Sequence, residues 1–272
     1  MSQISLRGIE KRFTVYERPT GRFGLLRGAF VRNRRTVRAL RGISFDVEPG
    51  ELVGYIGPNG AGKSTTVKVM SGILTPDAGE CRVMGRVPWK EREAHVQRIG
   101  VVFGQRSQLW WDVPVADSLD LLRVIYAVPA ADYRRRLAQL SQRLEVEDLL
   151  RTPARQLSLG QRMRCELVAA LLHRPDILFL DEPTIGLDAV SKLALRAFLR
   201  EENRQSGVTM LLSTHDMDDV QALCSRVMVV GHGQLLLDGP LSALRERYGV
   251  CAGEDIDEVV ARMYREMALE EA

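Results

Sequence analysis

Short runs of apolar residues alternate along this chain with longer stretches in which apolar positions recur every three to four residues. The short runs fall at 51–56, 99–103, 177–180, 209–213 and 227–230. Runs of that length, dominated by apolar residues, predict strands buried on both faces. Between them the periodicity predicts helices at about 63–70, 115–127, 131–144, 158–173, 191–205 and 216–225. Strands and helices in alternation predict an α/β body with a mostly parallel sheet and helices on both faces. Two stretches break the pattern. From 107 to 173 helices follow one another without a strand, which predicts an all-helical insert. After Pro240 the chain is helical again and acidic, with eight acidic and three basic residues between 246 and 272.

One turn in this pattern carries chemistry. Gly57-Pro58-Asn59-Gly60-Ala61-Gly62-Lys63-Ser64, followed by Thr65, matches G-x-x-x-x-G-K-[ST] and sits between a predicted strand and a predicted helix. Glycines there let backbone N–H groups turn inward around phosphate oxygens, and the helix N-terminus adds a favourable dipole. Lys63 would then reach the β- and γ-phosphates of ATP, and the Ser64 hydroxyl would ligate Mg²⁺. The strand at 177–180 ends in Asp181 and Glu182. A buried strand that delivers an aspartate at its C-terminal edge is the usual partner of such a loop. Asp181 is therefore expected to hold Mg²⁺, and Glu182 to act as general base on the attacking water. Without the glycine-rich loop, a solvated Asp-Glu turn would be the plainer reading.

Further along, Leu157-Ser158-Leu159-Gly160-Gln161 resembles the signature of the ATP-binding subunits of ABC transporters, usually Leu-Ser-Gly-Gly-Gln. Ser158 lies 23 positions before Asp181, where that family places it. Gln105 matches the family's Q-loop glutamine, Thr184-Ile185-Gly186-Leu187-Asp188 resembles its D-loop, and Ser213-Thr214-His215-Asp216 its switch histidine. The resemblance runs over about residues 3–240, with the motifs in family order. It implies a P-loop NTPase of the ABC ATPase type: a mostly parallel central sheet, an N-terminal antiparallel β-subdomain and an inserted helical subdomain. It also implies a dimer with two ATP molecules at the interface, the loop of one subunit binding each nucleotide. Ser158, Gly160 and Gln161 of the other subunit would cover the γ-phosphate, beside Asp188. Gln105 and His215 would sense that phosphate, and Gln105 would also touch Mg²⁺ and link the site to the helical insert. Transmembrane permease subunits are the implied partners, at the cytoplasmic face of the inner membrane. The resulting division is one nucleotide-binding domain at 1–240, with a basic insertion at 14–37 and a helical subdomain at 107–173, then an acidic tail at 241–272.

Two features depart from the family pattern. Leu159 replaces the middle glycine of the signature. The adenine-stacking aromatic, which normally precedes the loop by about 25 residues, has its counterpart in Lys11-Arg12-Phe13, 44 positions before Gly57. Stacking is assigned to Phe13 with Tyr16 as competitor; a core role for Phe13 is the plainer alternative. The insertion, together with Phe103-Gly-Gln-Arg-Ser-Gln-Leu-Trp110-Trp111-Asp112, looks like exporter-type bacterial ATPases similar to viologen or multidrug exporters. Export is the implied direction, and at least one of the two tryptophans is expected in a permease-docking groove.

Composition adds a local asymmetry. Hydrophobic residues make up 45% and charged residues 27%, which excludes a disordered or fibrous chain. No run approaches the roughly 20 apolar residues of a membrane helix, and no leader peptide is expected at the N-terminus. Net charge is +3, yet ten basic residues between Lys11 and Arg41 face Glu17 alone, leaving the remainder at −6. A patch of that kind points to an acidic surface. Residues 18–36 are read as contacting an anionic membrane or the permease, against the plainer reading of a solvated loop. A soluble ABC-type ATPase acting on nucleic acid or the ribosome is the second reading, but such chains usually carry two cassettes or long coiled coils, so no nucleic acid is expected. A GTPase is disfavoured by the absence of Asn-Lys-x-Asp. His95, His173 and His232 have no metal-ligand spacing, and the four cysteines form no CxxC, which fits a reducing compartment.

Overall fold

The computed structural model describes residues 2–17, 33–104 and 106–243. Two long strands, β1 (Ile4–Glu17) and β2 (Asn33–Val47), open the chain as an antiparallel pair. β3 (Leu52–Ile56) leads through the glycine-rich turn into α1 (Lys63–Met70). β4 (Ala78–Val83) returns to β1, completing a three-stranded antiparallel sheet in the order β2-β1-β4. The short α2 (Arg92–Val96) precedes β5 (Ile99–Phe103). Then come α3 (Val115–Ile125), α4 (Ala130–Arg143) and α5 (Leu159–Leu171), the consecutive helices that the periodicity predicts. β6 (Ile177–Asp181), α6 (Ala189–Ser206), β7 (Thr209–Thr214), α7 (Met217–Leu223), β8 (Arg226–Gly231) and β9 (Gln234–Pro240) follow.

The five apolar runs are the five parallel strands of a second sheet, ordered β5-β6-β7-β3-β8-β9, with only β9 antiparallel at its edge. Successive side chains on these strands enter two different cores, as the period of two requires. Leu178 and Leu180 of β6, with Met210 and Leu212 of β7, pack toward α5, α6 and the consecutive helices. Ile177, Phe179 and Leu211 pack with Val67 and Met70 of α1 and with the antiparallel sheet. Both faces are covered, so the strands are mainly apolar, with polar residues at or near their ends. β4 and β9 carry mixed polar patterns with one wet side and escape a search for apolar runs.

Part of the segment read as an insertion is paired strand. Thr14 lies opposite Thr36, Val15 opposite Arg35 and Tyr16 opposite Arg34, so 14–17 and 33–37 prolong β1 and β2. Threonine, valine and tyrosine favour that extended backbone. Residues 18–32, with Arg18, Arg22, Arg27 and Arg32, lie outside the described residues, as does the acidic tail from 244 onward. His95 is fully buried with Nε2 2.9 Å from the Met70 carbonyl oxygen. His173 stacks on Tyr126 with ring centres 3.9 Å apart, and burial pushes its pKa down to about 4. Both are structural histidines. Cys81, Cys165 and Cys224 are buried free thiols, and burial raises the pKa of the first two to about 12. No described helix is long and apolar enough to cross a membrane.

Candidate active site

The carboxyl ends of parallel strands, where open α/β sheets bind their ligands, converge on the glycine-rich turn. Across the sheet Phe103 pairs with Asp181, Asp181 with Ser213, and Ser213 with Tyr55, next to the last residue of β3. A cleft of about 590 Å³ opens there, walled by Phe13 and Ala39 on one side and Phe103, Gly104, Arg106 and Ile185 on the other. Its floor is Pro58, Asn59, Gly60, Gly62, Lys63, Ser64 and Thr65, with Asp181 and Glu182.

The turn takes its shape from left-handed glycines. Gly62 has φ 104°, and a Cβ there would lie 2.7 Å from the Ala39 carbonyl oxygen, so no larger residue fits. The Ala61 N–H donates to Pro58 O at 3.1 Å, and Gly233 N–H donates to Ala61 O at 3.1 Å, fixing the turn from both sides. The first backbone bond of α1 is donated by Thr66 to Gly62 O at 2.9 Å. The N–H groups of Lys63, Ser64 and Thr65 therefore precede the helical ladder, and the first turn contains no acidic residue. That is a cradle for an anion.

Lys63 is 5% exposed. Its ammonium donates to Gly57 O at 2.6 Å and lies 3.3 Å from Glu182 Oε1. The Ser64 hydroxyl donates to Asp181 Oδ1 at 3.1 Å, and the Ser213 hydroxyl donates to the same oxygen at 2.8 Å. Glu182 has φ 54°, a left-handed backbone that few side chains adopt. Its N–H donates to Ser213 O at 2.8 Å, and the neighbouring Gly104 N–H donates to Asp181 O at 2.8 Å. A Cβ at Gly104 would lie 2.2 Å from Glu182 O, so these two loops touch backbone to backbone. The twist aims the Glu182 carboxylate across the cleft, where its Oε2 meets His215 Nδ1 at 2.7 Å. A carboxylate thus stands between a lysine and an imidazole, over a cradle of N–H groups. That arrangement can bind phosphate and draw a proton from a water. Mg²⁺ fits the donors present: the Ser64 hydroxyl and the Asp181 carboxylate are hard oxygen ligands, already within hydrogen-bond distance of one another.

Phe13, 37% exposed, lines the cleft with the Lys11 ammonium 5.9 Å from its ring centre, which removes the core alternative for it. Gln105 lies outside the described residues, between Gly104 and Arg106 of the cleft wall. The signature is a separate place. Ser158 caps α5, its hydroxyl accepting from Gln161 N–H at 3.2 Å while the Gln161 side chain accepts from Ser158 N–H at 2.9 Å. Leu159 Cδ2 lies 2.8 Å from where a Gly186 Cβ would be, so the residue that departs from the family pattern seats against the D-loop-like turn. Asp188 caps α6, accepting from Ser191 N–H at 2.9 Å, and that bond lowers its pKa. Ser158, Gly160, Gln161 and Asp188 do not line the cleft of their own chain. Ser213 stands in the switch-histidine motif without a role of its own there, and its hydroxyl bond to Asp181 is what the motif does not show.

A family profile described as "ABC transporter" matches residues 40–185. Over 217 residues the chain is 34% identical to the ABC transporter ATP-binding protein NatA of Bacillus subtilis, covering 80% of this chain and 88% of that one. It is 36% identical to the Nod factor export ATP-binding protein I of Ralstonia nicotianae over 73% of this chain and 61% of that protein. With the methionine import ATP-binding protein MetN of Thermobifida fusca it shares 37% identity over 75% of this chain and 65% of the relative. Among solved structures, an ATP-binding subunit of an ABC transporter superposes with a TM-score of 0.77 at 25% identity, covering 96% of this chain and 99% of that one. The fold, the phosphate cradle and these relatives agree: the chain belongs to the ABC transporter family, as an ATP-binding subunit that hydrolyses ATP.

Proposed function

We propose that the chain works as one half of an ATP-driven pair that powers separate permease subunits, and that Glu182 is the base of its hydrolytic step. The observation that carries this reading is the Glu182 carboxylate poised between Lys63 and His215, beside the Ser64–Asp181 pair. Lys63, the N–H groups of the turn and Thr65 hold the phosphates, Phe13 stacks on the base, and Ser64, Asp181 and Gln105 hold Mg²⁺, which supplies charge neutralisation at the phosphates when bound. Glu182 takes a proton from the attacking water, and His215 orients that carboxylate. Phosphoryl transfer needs positioning and charge stabilisation above all, and these groups supply both.

The same reading makes the active unit a dimer. Ser158 and Gly160 stand at the N-terminus of α5, away from their own cleft, where their donors can serve the γ-phosphate in a second subunit. Specific ATPase activity should therefore rise with protein concentration, and Ser158→Arg should abolish it without unfolding the chain, lowering stability only by about 1 kcal/mol, the cost of losing the helix cap. A concentration-independent rate from a monomeric sample would refute the shared site.

Trp110 and Trp111 are 43% and 51% exposed, and Leu121, Val124 and Ile125 of the neighbouring α3 are exposed as well. Large apolar side chains exposed in this way on a transporter subunit fit a permease surface. Trp111→Ala should weaken copurification with the permease severalfold and leave basal ATPase intact; equal loss of both, with a lowered melting temperature, would argue for a packing role. Docking there places the subunit at the cytoplasmic face of the membrane, with segment 18–36 against anionic lipid. The direction we propose is export, from the likeness of the loop 103–112 to exporter ATPases and from the Nod factor export relative. The methionine import relative favours import, and ATP-driven accumulation in inverted vesicles decides between them.

A further inference from the structure

α5 buries Cys165, Leu167 and Val168 in the main core, and in their midst Glu166 is 3% exposed. An ionisable side chain in an apolar helix face is costly unless its oxygens are satisfied. Among the described residues, the partners of Glu166 come from the loop that follows Gln105. The Ser107 hydroxyl donates to one carboxylate oxygen, and the Gln108 N–H donates to the other at 3.2 Å. The Gln108 side chain donates to the Glu166 carbonyl oxygen at 3.2 Å. The loop is tied at both ends as well: Gly104 N–H donates to Asp181 O at 2.8 Å, and Trp110 N–H donates to Ser118 Oγ at 3.1 Å on α3.

We propose that Glu166 is a positioning residue, a buried clasp that fastens the loop between Gly104 and Trp110 to the helix capped by Ser158. The clasp sets three things in one frame: the backbone beside Glu182, the exposed tryptophans, and the N-terminus of α5 two turns before Glu166. Motion at the nucleotide can then reach the tryptophan patch only with the signature helix, because the loop does not slide along it. Burial raises the pKa of Glu166 while the bonds from Ser107 and Gln108 oppose the rise. The carboxylate fits this loop in a way an amide does not. Glutamine can accept from Ser107, but its NH₂ group then faces the Gln108 N–H, donor against donor.

This inference rests on the hydrolytic reading above. Wild-type turnover of MgATP, and its loss in Glu182→Gln, check that reading separately from the clasp. The test compares kcat, KM for ATP and melting temperature in full-length Glu166→Gln, Ser107→Ala and the double variant. Each single change should lower kcat about tenfold through misplacement of the loop, with KM close to wild type and a melting temperature lowered only as far as the loss of one buried hydrogen bond accounts for. The double variant should be no worse than the weaker single variant, since both remove one connection. If Glu166→Gln does not fold, Ser107→Ala carries the test, and the same loss of kcat at constant KM supports the clasp. A kcat within about twofold of wild type in the variants that fold overturns it, as do losses that multiply in the double variant and follow a falling melting temperature.

Discussion

Glu182→Gln is expected to lower ATP turnover by about a hundredfold to ten-thousandfold, the range a general base contributes, while ATP still binds. Glutamine keeps the size and one acceptor of the carboxylate but cannot take the proton of the attacking water. Its effect on binding should be small or favourable, because the Glu182 carboxylate lies 3.3 Å from Lys63 and competes with phosphate for that ammonium. The left-handed backbone at 182 is held by the Ser213 carbonyl and by Gly104, neither of which the substitution touches. Turnover near the wild-type rate in the purified variant would remove Glu182 as the base.

Lys63→Ala should have the converse signature: ATP binding lost rather than chemistry alone. A hydrogen bond to a charged group contributes about 1.5–3 kcal/mol, so losing one such contact weakens nucleotide binding by roughly ten- to over a hundredfold. Lys63 is nearly fully buried, so its removal also leaves Gly57 O without its donor and Glu182 without its cation. Equilibrium titration with a fluorescent ATP analogue reads the affinity directly, and retained affinity would mean that the N–H groups of the turn suffice alone.

Those two residues stand in a part of the chain that is legible from sequence. A buried strand, a turn that only glycine can make at Gly62 and a helix without acids in its first turn are all local, and each shows in the residues that form it. The five parallel strands were legible for a similar reason. Being covered on both faces, they are mainly apolar between their ends, and their polar residues, such as Asp181, Thr209, Ser213 and Arg226, stand at or near strand ends. β4 and β9 were not, since one side of each meets water and their patterns resemble loops. The basic segment misled in a different way. Its arginines suggest a loop from Thr14 onward, yet Thr14, Val15 and Tyr16 pair with Thr36, Arg35 and Arg34, a long-range register no local pattern records.

The site divides along the same line. Which residues bear chemistry was readable from motifs, but their mutual orientation was not. Glu182 reaches His215 through a backbone twist at φ 54°, and Ser213 joins Asp181 because β6 and β7 are in register. Glu166 broke the apolar pattern of α5 in plain view, but its partners lie 58 and 59 positions away. Only the fold brings them together.

The shared site is the central claim, and sedimentation velocity of Glu182→Gln with and without MgATP tests it most directly. Binding without turnover should trap the closed pair. The account predicts a monomer in the absence of nucleotide, a dimer with MgATP, and a return to monomer when Ser158→Arg is added to the same chain. A Glu182→Gln protein that binds MgATP and sediments as a monomer throughout would contradict it.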